Sequence, residues 1–441
     1  MSMKSALSYH FKTGVVGKAF LRYERLRAES KAKRSLGSPN PNLSPLLQTI
    51  PHLKELISTH YLHGRYADTH KKVAWVTSGA PVEILKALGY FTLYPENHGA
   101  VCGVRRTAVS LCQAAESQGY SRDLCSYARG DIGSIITGKT PVGNLPRPDL
   151  LLCCTNICQT VLYWYQVLAD HFKVPLVIID TPFIYDDVHD HSVEFVAKQM
   201  EHLVETAERV AGRSLTEERT RRAATAGREA AFLWNEILEC CKNRPSPISA
   251  FDQFFLMAPV VDMRGEQVAV DFYRSVLKEV KQRVANGVGS VTNERKRLLW
   301  DNLPIWYHVR GLAEMLAEKG YCVVTSTYTN AWGELAPMFD DNDVIKTAAR
   351  VYMHVILNRS ARHKLDTMLR LVDDYSIDGV VLHNNRSCKP YSLGQIDQRK
   401  YLVNEKGIPA LLLEADHNDS RSFSEKQVAD HLAVFMEMVE G

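Results

Sequence analysis

Cysteine is the residue type in this sequence that most needs a chemical explanation. Ten occur, at positions 102, 112, 125, 153, 154, 158, 240, 241, 322 and 388. No two are spaced C-x-x-C, which removes the zinc-ribbon and bacterial-ferredoxin patterns. Three stand in polar loop sequence. Cys125 lies in Asp123-Leu-Cys-Ser-Tyr-Ala-Arg-Gly130, Cys158 in Thr155-Asn-Ile-Cys-Gln-Thr160, and Cys388 in His383-Asn-Asn-Arg-Ser-Cys-Lys-Pro390. The other seven lack that context and read as buried apolar filler. For the loop trio three readings stand: metal ligation, a nucleophilic thiol paired with His383, or simple burial. Three thiolates suit an iron–sulfur cube with one iron left open to water, sulfide or substrate. Arg129, Arg386 and Lys389 lie nearby in sequence. They would offset thiolate charge and tune the potential, or else be plain surface charge.

Glu83 is the acid to watch. It sits in Ser78-Gly-Ala-Pro-Val-Glu83, in the first turn of a helix just past a strand. The helix start favours its ionised form and burial opposes it; the plain alternative is a helix-start carboxylate. Ser78 could donate a hydrogen bond at the same strand end, or merely cap the helix. Gly133-Ser-Ile-Ile-Thr-Gly-Lys-Thr140 fits the phosphate-loop pattern letter for letter. That pattern works only between a buried strand and a helix N-terminus. Here Pro141-Val-Gly-Asn-Leu-Pro-Arg-Pro148 follows, which forbids a helix after Lys139. Tyr163-Trp-Tyr165 reads as helix packing, and His308 and His383 form no metal spacing.

These groups need elements to position them. Residues 1–70 read as a helical segment, with the charge run Arg22–Arg34 a solvated face and Gly37–Pro45 a turn-rich connector. Residues 71–190 alternate strand and helix. Strands are expected at Val73–Thr77, Tyr90–Tyr94, Leu150–Cys154 and Pro175–Asp180, with helices at Pro81–Leu88 and Thr160–Phe172. Residues 191–295 read as long connecting helices, Glu194–Ala211 and Glu217–Lys242 among them. From 296 to 441 the alternation returns, with strands at Pro304–His308, Tyr321–Ser326, Gly379–Leu382 and Pro409–Glu414. The halves look like copies: Val82–Tyr90 resembles Ala313–Tyr321, and Pro148–Asn156 resembles Ile377–Asn385. The expectation is an α/β fold of two doubly wound parallel-sheet domains of related topology, joined by long helices. Such sheets collect ligands at the carboxyl ends of their strands, where Cys158 and Cys388 fall.

Composition narrows the function. With 441 residues, the chain carries 53 Lys+Arg against 50 Asp+Glu, so it lacks the basic surplus of a nucleic-acid binder. No apolar run approaches the ~18–20 residues that cross a bilayer. Met1–Lys12 does not read as a signal peptide, and a cytoplasmic location is expected.

Several motifs in order carry a resemblance: Thr77–Leu85, Leu93-Tyr-Pro-Glu-Asn97, Cys125-Ser-Tyr127, Thr155-Asn-Ile-Cys158, Val177–Pro182, Asn385–Pro390 and Leu413–Glu425. From about residue 75 to 435 the chain resembles the 2-hydroxyacyl-CoA dehydratase and benzoyl-CoA reductase family of iron–sulfur subunits, and within it the B-type subunit of ATP-dependent benzoyl-CoA reductase. The resemblance implies a [4Fe-4S] cluster on Cys125, Cys158 and Cys388, with Glu83 and Ser78 beside the substrate. It implies a related second catalytic subunit, a dimeric ATP-hydrolysing iron–sulfur activator, and a ferredoxin upstream. The substrate would be a CoA thioester that takes up single low-potential electrons, and an aryl-CoA would be dearomatised. Other readings at this point are a radical 2-hydroxyacyl-CoA dehydratase subunit, a non-catalytic cluster carrier or scaffold, and a cluster-free nucleotide binder resting on Gly133–Thr140.

Overall fold

The computed structural model describes residues 3–17, 19, 21–22, 40–340 and 343–441. Among the described residues of the first seventy, helices lie at Met3–His10 and Ile50–Arg65, while most of the Arg22–Arg34 run lies outside the described residues.

Eight strands form two sheets. β1 (Val73–Val76), β2 (Phe91–Leu93), β3 (Leu150–Cys154) and β4 (Leu176–Ile179) make the first, in the order β2-β1-β3-β4. β5 (Lys296–Asp301), β6 (Tyr321–Ser326), β7 (Gly379–Asn385) and β8 (Ala410–Ala415) make the second, in the order β6-β5-β7-β8. Every pairing is parallel. The two orders are the same, so the sequence likeness between the halves is a likeness of topology. Parallel strands need crossovers on both faces. β1, β3 and β6 are accordingly buried along their whole length.

One expected strand is displaced. Pro304–His308 is a turn, and the first strand of the second sheet is Lys296–Asp301. Asn302 takes a left-handed φ of 82°, which breaks the strand there. Ile305, Trp306 and Tyr307 are buried all the same. Their apolar character serves packing under a turn, whereas the true strand hides behind its charged start, Lys296-Arg297.

Helices at Asp190–Ala211, Glu217–Cys240 and Gln267–Ala285 lie between the two sheets in sequence. The helix Glu217–Cys240 packs against Glu83–Ala87 from the first half and Thr327–Gly333 from the second. Its small buried residues, among them Ala223, Ala226, Gly227 and Ala230, permit close approach. Trp234 secures it by donating from Nε1 to the Thr329 carbonyl at 2.8 Å.

In this topology the chain reverses direction between the first and third strand of each sheet, where crevices open at the carboxyl ends. Ser78 and Cys158 follow β1 and β3. Asn302 and Cys388 follow β5 and β7.

Candidate active site

The three loop cysteines lie near enough to act on one another electrostatically. Cys125 precedes the helix Ser126–Thr137, Cys158 lies between β3 and the helix Thr160–Phe172, and Cys388 caps the short helix Lys389–Ser392. All three are half-buried, and their thiols feel one another: Cys158 acts on Cys125, and both act on Cys388. Each sulfur faces the start of a helix. The amides of Tyr127 and Ala128 reach Cys125, those of Thr160 and Val161 reach Cys158, and that of Tyr391 reaches Cys388. Amides at a helix start have no intrahelical partner and carry partial positive charge, so they favour a thiolate. Burial nevertheless pushes the Cys125 thiol up to about 12 and raises the other two, with the amides pulling back only in part.

Burial thus outweighs the amides at all three thiols, and a bound metal centre would supply the positive charge that favours their thiolates. Among the described residues, no group of three or more His, Cys, Asp or Glu side chains closes around a single ion. A cube several bonds across spaces its thiolates more widely than one ion does. Three soft sulfur donors with amide N–H groups aimed at them fit an iron–sulfur cluster.

The three expected cations are placed differently from one another. Arg129 is buried, with Nη1 3.1 Å from Asp419 and a second ion pair to Glu116, so two carboxylates match its charge. Arg386 is exposed and pairs with Glu414 at 3.1 Å. Lys389 donates to the Arg386 carbonyl at 2.6 Å, also at the surface. A cation that sequence reasoning missed lies closer in. Lys364 donates to the Pro390 carbonyl at 2.7 Å, and its charge opposes the rise at Cys388. It comes from the helix Ala361–Asp374, far from any cysteine in sequence, and no local signal marks it. Three phenols complete the surroundings. Burial first, and then the charge of Cys388 among other neighbours, raise Tyr127, Tyr328 and Tyr391.

Glu83 stands in the first turn after β1, as expected, and is buried. Its Oε1 accepts from the Tyr352 hydroxyl at 2.7 Å and lies 3.5 Å from Arg264 Nε. Arg264 is itself buried, stacked over Trp332 and Tyr352, and donates to the carbonyls of Ser78 and Ala80. Glu83 thus helps fix the turn that carries Ser78.

A second acid was overlooked. The backbone N–H of Ser78 donates to Glu96 Oε1 at 3.1 Å, while Glu96 Oε2 is buried without a hydrogen-bond partner. Burial pushes Glu96 up to about 7, against the pull of the Ser78 amide, and its charge registers at Cys158. Glu96 lies within Leu93-Tyr-Pro-Glu-Asn97, a motif that offered the same helix-start signal as Glu83. Asp131 shares its electrostatic environment: burial first, and then Glu96, push it up to about 7. Asp131 Oδ1 lies 4.0 Å from His98 Nδ1, and neither atom has a hydrogen-bond partner. Burial holds His98 down at about 4, hence neutral.

Gly133–Thr137 forms the end of the helix Ser126–Thr137, and Gly138 closes it at φ 66°. A Cβ at Gly133 would sit 1.9 Å from the Leu111 carbonyl oxygen. Close helix packing, not phosphate binding, explains that glycine. Gly133→Ala is expected to cost about 1–3 kcal/mol or more, since backbone must move. Urea denaturation measures it, and an unchanged midpoint would contradict the packing argument.

Comparison with known proteins bears on this geometry. The family model described as 2-hydroxyglutaryl-CoA dehydratase, D-component, matches residues 77–439. The chain is 31% identical over 359 residues to the (R)-phenyllactyl-CoA dehydratase alpha subunit of Clostridium sporogenes, covering 81% of this chain and 87% of that one. It is 28% identical over 392 residues to the (R)-2-hydroxyisocaproyl-CoA dehydratase alpha subunit of Clostridioides difficile, covering 88% and 95%. It is 29% identical over 405 residues to the B-type subunit of benzoyl-CoA reductase from Thauera aromatica, covering 88% and 93%. The matched span takes in the Ser78 turn, all three loop cysteines and both ends of the second sheet, and the chain belongs to the family that the 2-hydroxyglutaryl-CoA dehydratase D-component model describes, alongside dehydratase alpha subunits and a benzoyl-CoA reductase subunit.

Proposed function

We propose that this chain is the iron–sulfur catalytic subunit of an enzyme that passes single low-potential electrons into a CoA thioester. The gathering of Cys125, Cys158 and Cys388 near Glu96 carries this reading. The three thiolates would hold a [4Fe-4S] cluster, which when bound supplies electrons at low potential and an open coordination position. This chain's residues do the rest. Tyr127, Tyr328 and Tyr391 keep water away, and an electron on an acyl group survives only in a dry site. Lys364 and the helix-start amides offset thiolate charge. Arg129 holds the Cys125 helix through Glu116 and Asp419, and Arg386 and Lys389 line the rim of the Cys388 loop. Ser78 directs Glu96 through its backbone N–H, leaving Oε2 to carry a proton near neutral pH and deliver it to substrate. Asp131, pushed up to about 7, stands behind it as a proton reserve, beside a neutral His98. Glu83 positions the Ser78 turn through Arg264.

A related second subunit, a dimeric ATP-hydrolysing iron–sulfur activator and a ferredoxin upstream would complete the electron path. ATP chemistry then belongs to the activator, in keeping with a Gly133–Thr140 segment that begins as the end of a helix. For the reaction we propose reduction of an aromatic acyl-CoA ring, in line with the resemblance to the B-type subunit of benzoyl-CoA reductase. Loss of water from a 2-hydroxyacyl-CoA is the second reading, favoured by the dehydratase alpha subunits among the relatives.

The deciding experiment is an anaerobic assay of the purified complex, with activator, ATP and reductant, on benzoyl-CoA and on (R)-phenyllactyl-CoA. Ring reduction with continuing electron uptake is expected. Dehydration without net electron uptake overturns the reductase reading and leaves the dehydratase one. No turnover of either thioester by an iron-loaded complex points to a carrier instead.

A further inference from the structure

Cys125 and Cys388 come from different halves of the chain, yet they are stitched together by one side chain that belongs to neither loop. Asp416 follows β8 and is buried. Its Oδ1 accepts from the hydroxyl of Ser126 at 2.6 Å, and its Oδ2 from the hydroxyl of Ser387 at 2.5 Å. Ser126 is the residue after Cys125, and Ser387 the residue before Cys388. The two serines also meet directly, the Ser126 amide donating to Ser387 Oγ at 3.2 Å.

The carboxylate is held in its turn. The amides of Asn418 and Asp419 each donate to Oδ1 at 2.8 Å. His417 Nε2 lies 3.0 Å from Ser126 Oγ, and its Nδ1 faces the Asn385 amide, 2.9 Å from Nδ2 and 3.1 Å from Oδ1. With the Ser126 proton directed at Asp416, Nε2 is the His417 nitrogen placed to donate to Ser126 Oγ. Four donors converge on one carboxylate, a number an ionised Asp can accept and a neutral amide in its place cannot match without rearrangement.

We infer that Asp416 is a positioning residue that locks the Cys125 and Cys388 loops into one geometry and places a fixed negative charge beside the cluster they would hold. The inference rests on the cluster reading proposed above. Two consequences follow from its chemistry. Removing the carboxylate loosens two of three cluster loops at once. Removing its charge also makes it easier to add an electron, because net charge and hydrogen bonding near a cluster set its potential.

The test uses the anaerobically purified complex as wild type, Asp416→Asn, Ser387→Ala and Ser387→Thr. Iron and acid-labile sulfide, the rate of iron loss to a chelator, the reduction midpoint and the electron paramagnetic resonance spectrum of the reduced cluster are measured. Asp416→Asn is expected to lose iron several-fold faster and to shift the midpoint to more positive potential. Ser387→Ala keeps the charge, so it should speed iron loss with a smaller change in midpoint, and Ser387→Thr should restore retention. Should Asp416→Asn fail to fold, the serine pair decides. An iron-loaded wild type with unaltered midpoint and chelation rate in the variants overturns the inference alone. A wild type that binds no iron overturns the cluster reading, and this inference with it.

Discussion

Cys158→Ser is expected to remove most of the iron from the purified protein. A cube on three protein thiolates left with two loses both a bond and the geometry that distinguishes a cluster site from a pair of loose thiols. Serine does not compensate: its hydroxyl is a harder donor and stays protonated at neutral pH. The substitution itself is nearly isosteric, so the fold should persist. Cys125→Ser and Cys388→Ser should behave alike, since each supplies one loop. Cys240, half-buried in the helix Glu217–Cys240, serves as the control; Cys240→Ser should retain the full iron and sulfide content. Iron and acid-labile sulfide analysis under anaerobic conditions, with circular dichroism to verify folding, reads the result. Equal iron in the site and control variants would falsify the assignment of these three thiols.

The second large effect is at Glu96. Glu96→Gln keeps the acceptor for the Ser78 amide and removes the proton at Oε2. Loss of a positioned general acid typically costs about 10²–10⁴-fold in rate, and kcat should fall by that order with a smaller change in KM. In the wild type, the acid works while protonated. Activity should therefore be level below about pH 7 and decline above it, since burial pushes Glu96 up to about 7. Glu96→Gln should lack that alkaline limb.

The same substitution should raise stability at alkaline pH even as it lowers activity. A carboxyl whose folded pKa lies above its ordinary 4.5 makes the folded state bind more protons than the unfolded one between those values. Its contribution is greatest at low pH, falls from about pH 4.5 and is lost beyond about 7. At about 1.4 kcal/mol per tenfold, the rise corresponds to about 3 kcal/mol. Glu96→Gln should thus be no less stable than wild type near pH 6 and more stable at pH 8.5, while turning over far more slowly near pH 6. Melting curves at the two pH values separate this from simple damage. A variant less stable at pH 8.5 would argue against a buried, costly carboxylate.

Most of the architecture could be read from the chain because buried parallel strands are apolar throughout. Val73-Ala-Trp-Val76 and Leu150–Cys154 announce themselves, and Gly89 and Gly138 close their helices with the backbone freedom those ends require. β5 was harder because its first residues are charged. Arg297 is buried, and it pairs with Glu294 at 2.9 Å and donates to the carbonyls of Cys241 and Asn243, so its burial depends on partners distant in sequence. The same limit applies at the site. The polar setting of the three cysteine loops was visible locally, as was the helix-start acid Glu83. Which of two helix-start acids lies nearer the thiols depends on how the segments fold onto one another. Lys364 and Asp416 act across loops far from their own positions, and a single sequence carries no trace of such meetings.

That the cysteine loops are split between the two sheets has a consequence for biogenesis. While the chain is being synthesised, its first half offers only Cys125 and Cys158. The last anchor, Cys388, and the residue that fastens it, Asp416, emerge only with the closing strands of the second sheet. A cofactor bound by all three can be secured only after both sheets have left the ribosome. Delivery of such a cofactor would then be a late event in maturation, and a chain stalled between the sheets would leave two thiols open to oxygen.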